Sequence, residues 1–298
     1  MSKKIFVGNY KGGVGKTTSV FALAKYLGLN MPDKRILMID LDPQSSLSEI
    51  CISAYRNTMS LSDLSDDETL NSVYHLYNEF FDKNLKIGLT FNTEKLIKTI
   101  PSTNVSFIPT SIYYNESMGL DEIAMNMHKK QIENLFILKD FLVNTNIEKD
   151  YEYILIDCPP SNNIITQGAF MLSDYYIIPT IMDGVSIKGV SHYIKTINSV
   201  YNKYMGSEYK VTIRHHFEKK PELLGVFQTL KRGQVGYEDP IDFCKVTIRG
   251  LENITCKNPE IVFETKIDNY IATARSIYDG RIESEEYNSL AREIISLL

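Results

Sequence analysis

Short apolar runs recur along the chain, separated mostly by segments of helix length. They fall at Ile5 to Val7, Arg35 to Ile39, Val105 to Ile108, Tyr153 to Ile156, Tyr176 to Ile178 and Leu224 to Phe227. Unbroken apolar runs of this size belong to strands buried on both faces, so the pattern predicts an α/β fold: a mainly parallel, twisted sheet with helices on both faces. Right-handed crossovers then gather the loops at the C-terminal ends of the strands. The stretch from Ser19 to Leu27 reads as the first helix.

Between about residues 58 and 104 the alternation loosens. An acidic patch (Asp63, Asp66, Asp67, Glu68) is followed by Tyr74, Tyr77, Phe80 and Phe81 at helical spacing, which predicts a helical insertion whose aromatic face packs against the body. At the far end Leu290, Ile294, Ile295, Leu297 and Leu298 form an apolar face opposite Glu283, Glu285, Glu286 and Glu293. An acidic polar side has the wrong sign for anionic lipid, so this reads as a final helix packed on the sheet and not as a membrane anchor.

At 298 residues and 43% hydrophobic content, the expectation is a single domain spanning 1–298. The net charge of −5, from 32 Lys+Arg and 37 Asp+Glu, gives no global attraction to nucleic acid, so any such contact needs a local basic surface. Cysteines 51, 158, 244 and 256 show no metal-ligand spacing, and no apolar stretch approaches the ~20 residues of a membrane span. The expectation is reduced thiols, a cytoplasmic location and no membrane partner.

The chemistry concentrates where a strand meets a helix. Lys11-Gly-Gly-Val-Gly-Lys-Thr-Thr18 lies directly between the first apolar run and the first helix. Gly12, Gly13 and Gly15 let successive backbone N–H groups face one anion, and the helix beginning near Lys16 adds its positive end. Lys16 then meets the β and γ phosphates of a nucleotide, and Thr17 the Mg²⁺. Two further runs end in acids: Ile36-Leu-Met-Ile-Asp40-Leu-Asp42-Pro-Gln44, and Tyr153-Ile-Leu-Ile-Asp157-Cys-Pro-Pro160. Asp157 has the form of a strand-end carboxylate holding a Mg²⁺ ligand water.

The general phosphate loop has a glycine five places before Gly15, where this chain has Tyr10, followed by an additional lysine, Lys11. With that lysine, the Asp-Leu-Asp-Pro-Gln segment and the Asp157 segment, the chain resembles the ParA/MinD family of deviant Walker ATPases. The resemblance implies a P-loop NTPase fold, ATP and Mg²⁺ as cofactors, and a slow ATPase. It implies nucleotide contacts from Lys11, Gly12, Gly13, Val14, Gly15, Lys16, Thr17 and Thr18, with Thr229 bordering the base. Asp42 would orient the attacking water, and Thr17, Asp40 and Asp157 would stand in or near the Mg²⁺ shell. Lys11 would reach the nucleotide of a second subunit, which makes Lys11, Lys16 and Asp42 the catalytic set and ATP the agent of dimerisation.

In partitioning members of the family the ATP-bound homodimer binds DNA non-specifically, and a centromere-binding ParB-type partner stimulates hydrolysis and release. The first strand begins within a few residues of Met1, so an N-terminal helix-turn-helix domain is not expected, and nucleoid association would follow ATP binding. The family's DNA arginines fall near Tyr270 and Asn198 here, which leaves Lys195, Lys203, Lys266 and Arg275 as candidates. The basic stretch Lys210 to Arg232 reads equally well as a DNA surface or a solvated exterior. Glu264 to Ser276 reads either as the family's loop over adenine or as an ordinary loop and helix. The alternatives to partition are a MinD-like positioning ATPase and a nucleotide-gated adaptor.

Overall fold

A computed structural model describes residues 2–56, 58–83, 89–115, 118–127, 132–231, 238–268 and 282–298. Eight strands form one sheet: β1 (Lys3–Val7), β2 (Ile36–Asp40), β3 (Lys98–Thr99), β4 (Val105–Ile108), β5 (Tyr153–Asp157), β6 (Tyr175–Thr180), β7 (Glu222–Lys231) and β8 (Val262–Asp268). Their order is β3-β4-β2-β5-β1-β6-β7-β8, and every pairing is parallel except β3 with β4. The helices are α1 (Lys16–Asn30), α2 (Ser46–Tyr55), α3 (Leu70–Asp82), α4 (Thr93–Leu96), α5 (Leu120–Met127) and α6 (Ile137–Asn144). They continue with α7 (Ile147–Asp150), α8 (Ile164–Leu172), α9 (Gly184–Met205), α10 (Lys210–His216), α11 (Glu238–Arg249) and α12 (Glu285–Leu297).

The unbroken apolar runs are explained by a core on each side of the sheet. Ile5, Val7, Ile36, Met38, Tyr153 and Leu155 pack on the face covered by α1, α2 and α12, while Phe6, Leu37, Ile39, Ile154 and Ile156 pack on the face covered by α3, α6, α8 and α9. Successive side chains point to opposite faces, so a strand buried on both sides has no polar position to show. All six predicted strands are present. In the 58–104 segment, Tyr74 and Tyr77 of α3 are buried in the main core, with Phe81 packed against it. This helix is part of a core layer, and the segment also supplies the antiparallel edge strand β3.

Residues 264–268, expected as a loop, are the outer part of β8. Val262, Phe263 and Ile267 are buried, and the strand's open edge is closed from α12: the Glu293 carboxylate accepts from the Glu264 and Thr265 backbone N–H groups, each at 3.0 Å. Covering the last strand in this way removes a pairing edge. The rest of the expected adenine loop, with Tyr270 and Arg275, lies outside the described residues.

The apolar side of α12 faces inward. Tyr287, Leu290, Ala291 and Ile294 are buried against α1 and β8, and the Tyr287 and Ser19 hydroxyls meet at 3.0 Å. No described helix is long and apolar enough to cross a membrane. Truncating a fully buried leucine removes transfer energy and leaves a cavity, so Leu290→Ala should lower unfolding stability by about 2–5 kcal/mol in urea titration. A change close to zero would place α12 off the core.

Candidate nucleotide site

The site occupies the C-terminal edge of three adjacent strands. Val7 pairs with Asp157, and Asp157 with Asp40, so β1, β5 and β2 end side by side. Past Val7 the chain forms the loop into α1. Gly13 and Gly15 have φ of 68° and 78°, left-handed values that glycine adopts without a Cβ penalty, and Gly15 is the residue that starts the helix. No side chain caps α1. Its first backbone N–H groups, at Lys16, Thr17 and Thr18, therefore point at a cleft of about 450 Å³ bounded by Gly12, Gly13, Asp42, Gln44 and Pro160.

Charge in and behind this cleft is sharply divided. Asp157 is 1% exposed, and neither of its carboxylate oxygens has a hydrogen bond of normal geometry. Burial drives its pKa well above the ordinary carboxylate range, and the neighbouring Asp40 charge adds to this against smaller pulls from Thr17 and Lys16. Lys16 is buried too, and its Nζ donates to the Lys11 carbonyl at 3.4 Å. Burial lowers its pKa, while Asp157 and Asp42 oppose that shift. A dry carboxylate without donors beside a threonine hydroxyl and a buried ammonium fits Mg²⁺ well. That ion keeps several waters and is usually held through one or two carboxylates and substrate phosphates. Among the described residues no trio of His, Cys, Asp and Glu forms a complete cage.

Residues two apart on a strand share a face, but Asp40 and Asp42 do not, because only Asp40 lies on β2. β2 ends at Asp40, the Leu41 N–H donates to the Asp157 carbonyl, and the chain turns through Asp42 to Ser45. Asp40 is consequently buried, whereas Asp42 is half-exposed and lines the cleft. Burial lifts the Asp40 pKa to about 6, even though hydrogen bonds from Ser48 and from the Asp42 N–H hold it back.

Thr229 also differs from its expected place at the base. It is 1% exposed and its hydroxyl donates to the Val14 carbonyl at 2.8 Å, so it braces the phosphate loop from beneath. No motif announced this bond, because the partners are 215 residues apart.

Lys11 stands apart from Lys16. Its side chain is 42% exposed, and its Nζ donates to the Ser186 hydroxyl at 2.6 Å and to Asp183 at 3.4 Å. Asp183 caps α9, accepting from the Ser186 N–H at 2.7 Å. Burial works against the Asp183 charge, but the Ser186 bonds and Lys11 outweigh it and lower the pKa. Tyr10 packs edge-on against Tyr193 with ring centroids 4.7 Å apart, and Asn9 donates to the Pro179 carbonyl at 2.9 Å. These α9 partners were absent from the sequence reading; Asp183 three residues before Ser186 at a helix start is the one signal that could have revealed them.

The candidate DNA residues do not converge. Lys195 and Lys203 are exposed on α9, where Lys188 joins them, whereas Lys266 is half-buried on β8. The stretch from Lys210 is dispersed by β7, whose ten residues separate its ends by roughly 30 Å. Lys219 pairs with Asp174 at 3.2 Å, Lys220 donates to the Asn253 carbonyl at 2.8 Å, and Lys231 pairs with Asp268 at 3.7 Å. Arg232 and Arg275 lie outside the described residues.

Comparison with known proteins bears on the family and the fold. A family described as an AAA domain, AAA_31, matches residues 2–211. The chromosome-partitioning ATPase Soj of Treponema pallidum is 28% identical over 200 residues, covering 67% of this chain and 65% of its own length. Thus the match spans just under two thirds of that relative. A plasmid partition protein from Borrelia burgdorferi superposes with a TM-score of 0.60 at 18% identity, over 100% of this chain and 99% of its own. Cobyrinic acid a,c-diamide synthase from Mycobacterium smegmatis, solved with an ATP analogue and magnesium, gives 0.65 at 18% identity, covering 99% and 95%. The two structures show the shared P-loop NTPase fold, and the match over residues 2–211 together with the partition relatives shows the family: the chain belongs to AAA_31, among its ParA-type members.

Proposed function

We propose that this protein is a partition ATPase in which bound ATP joins two subunits face to face, the dimer holds DNA without sequence preference, and hydrolysis dissolves both associations. The observation that carries this reading is the separation of the two lysines. Lys16 is buried inside its own cradle, while Lys11 is exposed beside Gly12 and Gly13, with its ammonium on Ser186 and Asp183. One cation therefore serves the subunit's own phosphates, and the other is available to a facing subunit.

Hydrolysis in such a site needs positioning and charge neutralisation more than a covalent nucleophile. Backbone N–H groups of the loop and of the first turn of α1 hold the phosphates, and Lys16 sets its ammonium against them. Asp157 and Thr17 hold Mg²⁺, which when bound neutralises phosphate oxygens. Asp42, half-exposed over the cleft, orients a water molecule by accepting its proton in a hydrogen bond. In a loose transition state alignment outweighs basicity, which favours slow turnover and leaves room for acceleration by a ParB-type partner.

If Lys11 acts across the interface, each subunit moves it from Ser186 and Asp183 to the facing triphosphate, so nucleotide state becomes assembly state. Lys11→Ala should retain ATP binding in a fluorescent-nucleotide titration and lose ATP-dependent dimerisation in light scattering. A dimer that persists unchanged with ATP would refute the assignment.

The DNA half of the reading leans on Lys188, Lys195 and Lys203, the exposed lysines of α9. Binding of this kind depends on counterion release, so affinity for random duplex should fall by a factor on the order of 10³ between 50 and 200 mM salt if several phosphates are engaged. Gel shifts with ATP, ADP and no nucleotide provide the measurement. The reading fails if ATP produces no added retardation at low salt.

A further inference from the structure

Asp40 and Asp157 are neighbours in register, yet their surroundings differ completely. Among the described residues Asp157 accepts no hydrogen bond of normal geometry, and Thr17 offers it a weak one. Asp40 accepts three: from the Asp42 N–H at 3.0 Å, the Ser48 N–H at 2.8 Å and the Ser48 hydroxyl at 2.7 Å. The Ser48 hydroxyl oxygen in turn accepts from the Thr110 N–H at 2.8 Å. Asp40, Ser48 and Thr110 are at most 1% exposed. A continuous buried chain of donors and acceptors thus runs from the end of β4, through the first turn of α2, to the end of β2 and the backbone of Asp42.

Resting on the ATP-hydrolysing function argued above, we propose that Asp40, with Ser48, is a positioning residue: it fixes the 41–48 loop so that the Asp42 side chain stays aligned over the cleft. The loop needs such a tie, because Ser45 sits at φ 54°, a left-handed conformation unfavourable for a residue with a Cβ, and its buried hydroxyl has no partner among the described residues. One carboxylate gripping both Asp42 and Ser48 closes the loop at its two ends. Its lone pairs are directed at these three donors, whereas Asp157 has only weaker help from Thr17 and Lys16 among the described residues. This reassigns Asp40 from the metal surroundings expected from the sequence to the support of Asp42.

Ser48→Ala removes the hydroxyl and leaves the buried Thr110 N–H without its acceptor. The expected result is a fall in kcat of about tenfold or more, since small misplacements of an aligning group are costly. The KM for ATP and the half-saturating Mg²⁺ concentration should stay near wild type. Ser48→Thr, which keeps the hydroxyl, should restore kcat. In nucleotide-free protein, amide exchange over residues 41–48 should be faster in Ser48→Ala than in wild type or Ser48→Thr. If Ser48→Ala does not fold, Asp40→Asn carries the same kinetic comparison.

The inference is overturned if folded Ser48→Ala keeps its kcat, if Ser48→Thr is as impaired as Ser48→Ala, or if the change appears as weakened Mg²⁺ dependence with kcat intact at saturating Mg²⁺. Should the wild type neither bind nor hydrolyse ATP, the functional reading fails instead. The exchange measurement still decides whether Ser48 holds the loop.

Discussion

Two carboxylates buried side by side at the end of a parallel sheet are a severe electrostatic demand, and the arrangement around them follows from it. Moving a charged acid out of water is costly unless donors or a cation replace the lost hydration. Asp40 is met by neutral donors from its own loop and from α2. Asp157 has only the buried ammonium of Lys16 and the hydroxyl of Thr17 nearby. The fold keeps one of these groups satisfied and leaves the other in deficit, and that deficit lies beside a loop shaped to receive anions.

The loop itself is held from two directions. From beneath, Thr229 of β7 fixes the Val14 carbonyl, and Ser19 in α1 donates to the Gly15 carbonyl at 2.6 Å. From the side, α9 engages Tyr10 through Tyr193 and Lys11 through Ser186. A lysine placed before the glycines is carried outward on this second support, away from the buried lysine that follows them. The two lysines of one short loop therefore have separate surroundings, Lys11 on α9 and Lys16 within the loop.

Much of this was legible in the sequence because its signals are local. Both-face burial makes strands read as apolar runs, and the loop's glycines, lysine and threonine are adjacent in the chain. What escaped depends on distant partners. β8 was missed because Glu264, Thr265 and Lys266 interrupt its apolar character, and the group that closes its edge, Glu293, lies 29 residues beyond Glu264. The spacing of Asp40 and Asp42 announced two acids but not the end of the strand between them. Nor could it show that Ser48 and Thr110, 62 residues apart, meet over one carboxylate. The basic stretch after Lys210 stayed open between two readings for the opposite reason: closeness in sequence became distance in space once β7 extended through it.

The unequal treatment of Asp40 and Asp157 also bears on how ligand occupancy and folding are linked. A group that binds the folded chain and not the unfolded one stabilises it by mass action, and the gain is greatest where the empty site is least satisfied. Asp157 is such a place, whereas the hydrogen bonds of Asp40 are complete without any ligand. Asp40, Ser48 and Thr110, which tie β2, α2 and β4 together, lie behind the residues that line the cleft. The loop bearing Asp42 is held at both ends by the chain's own hydrogen bonds to Asp40.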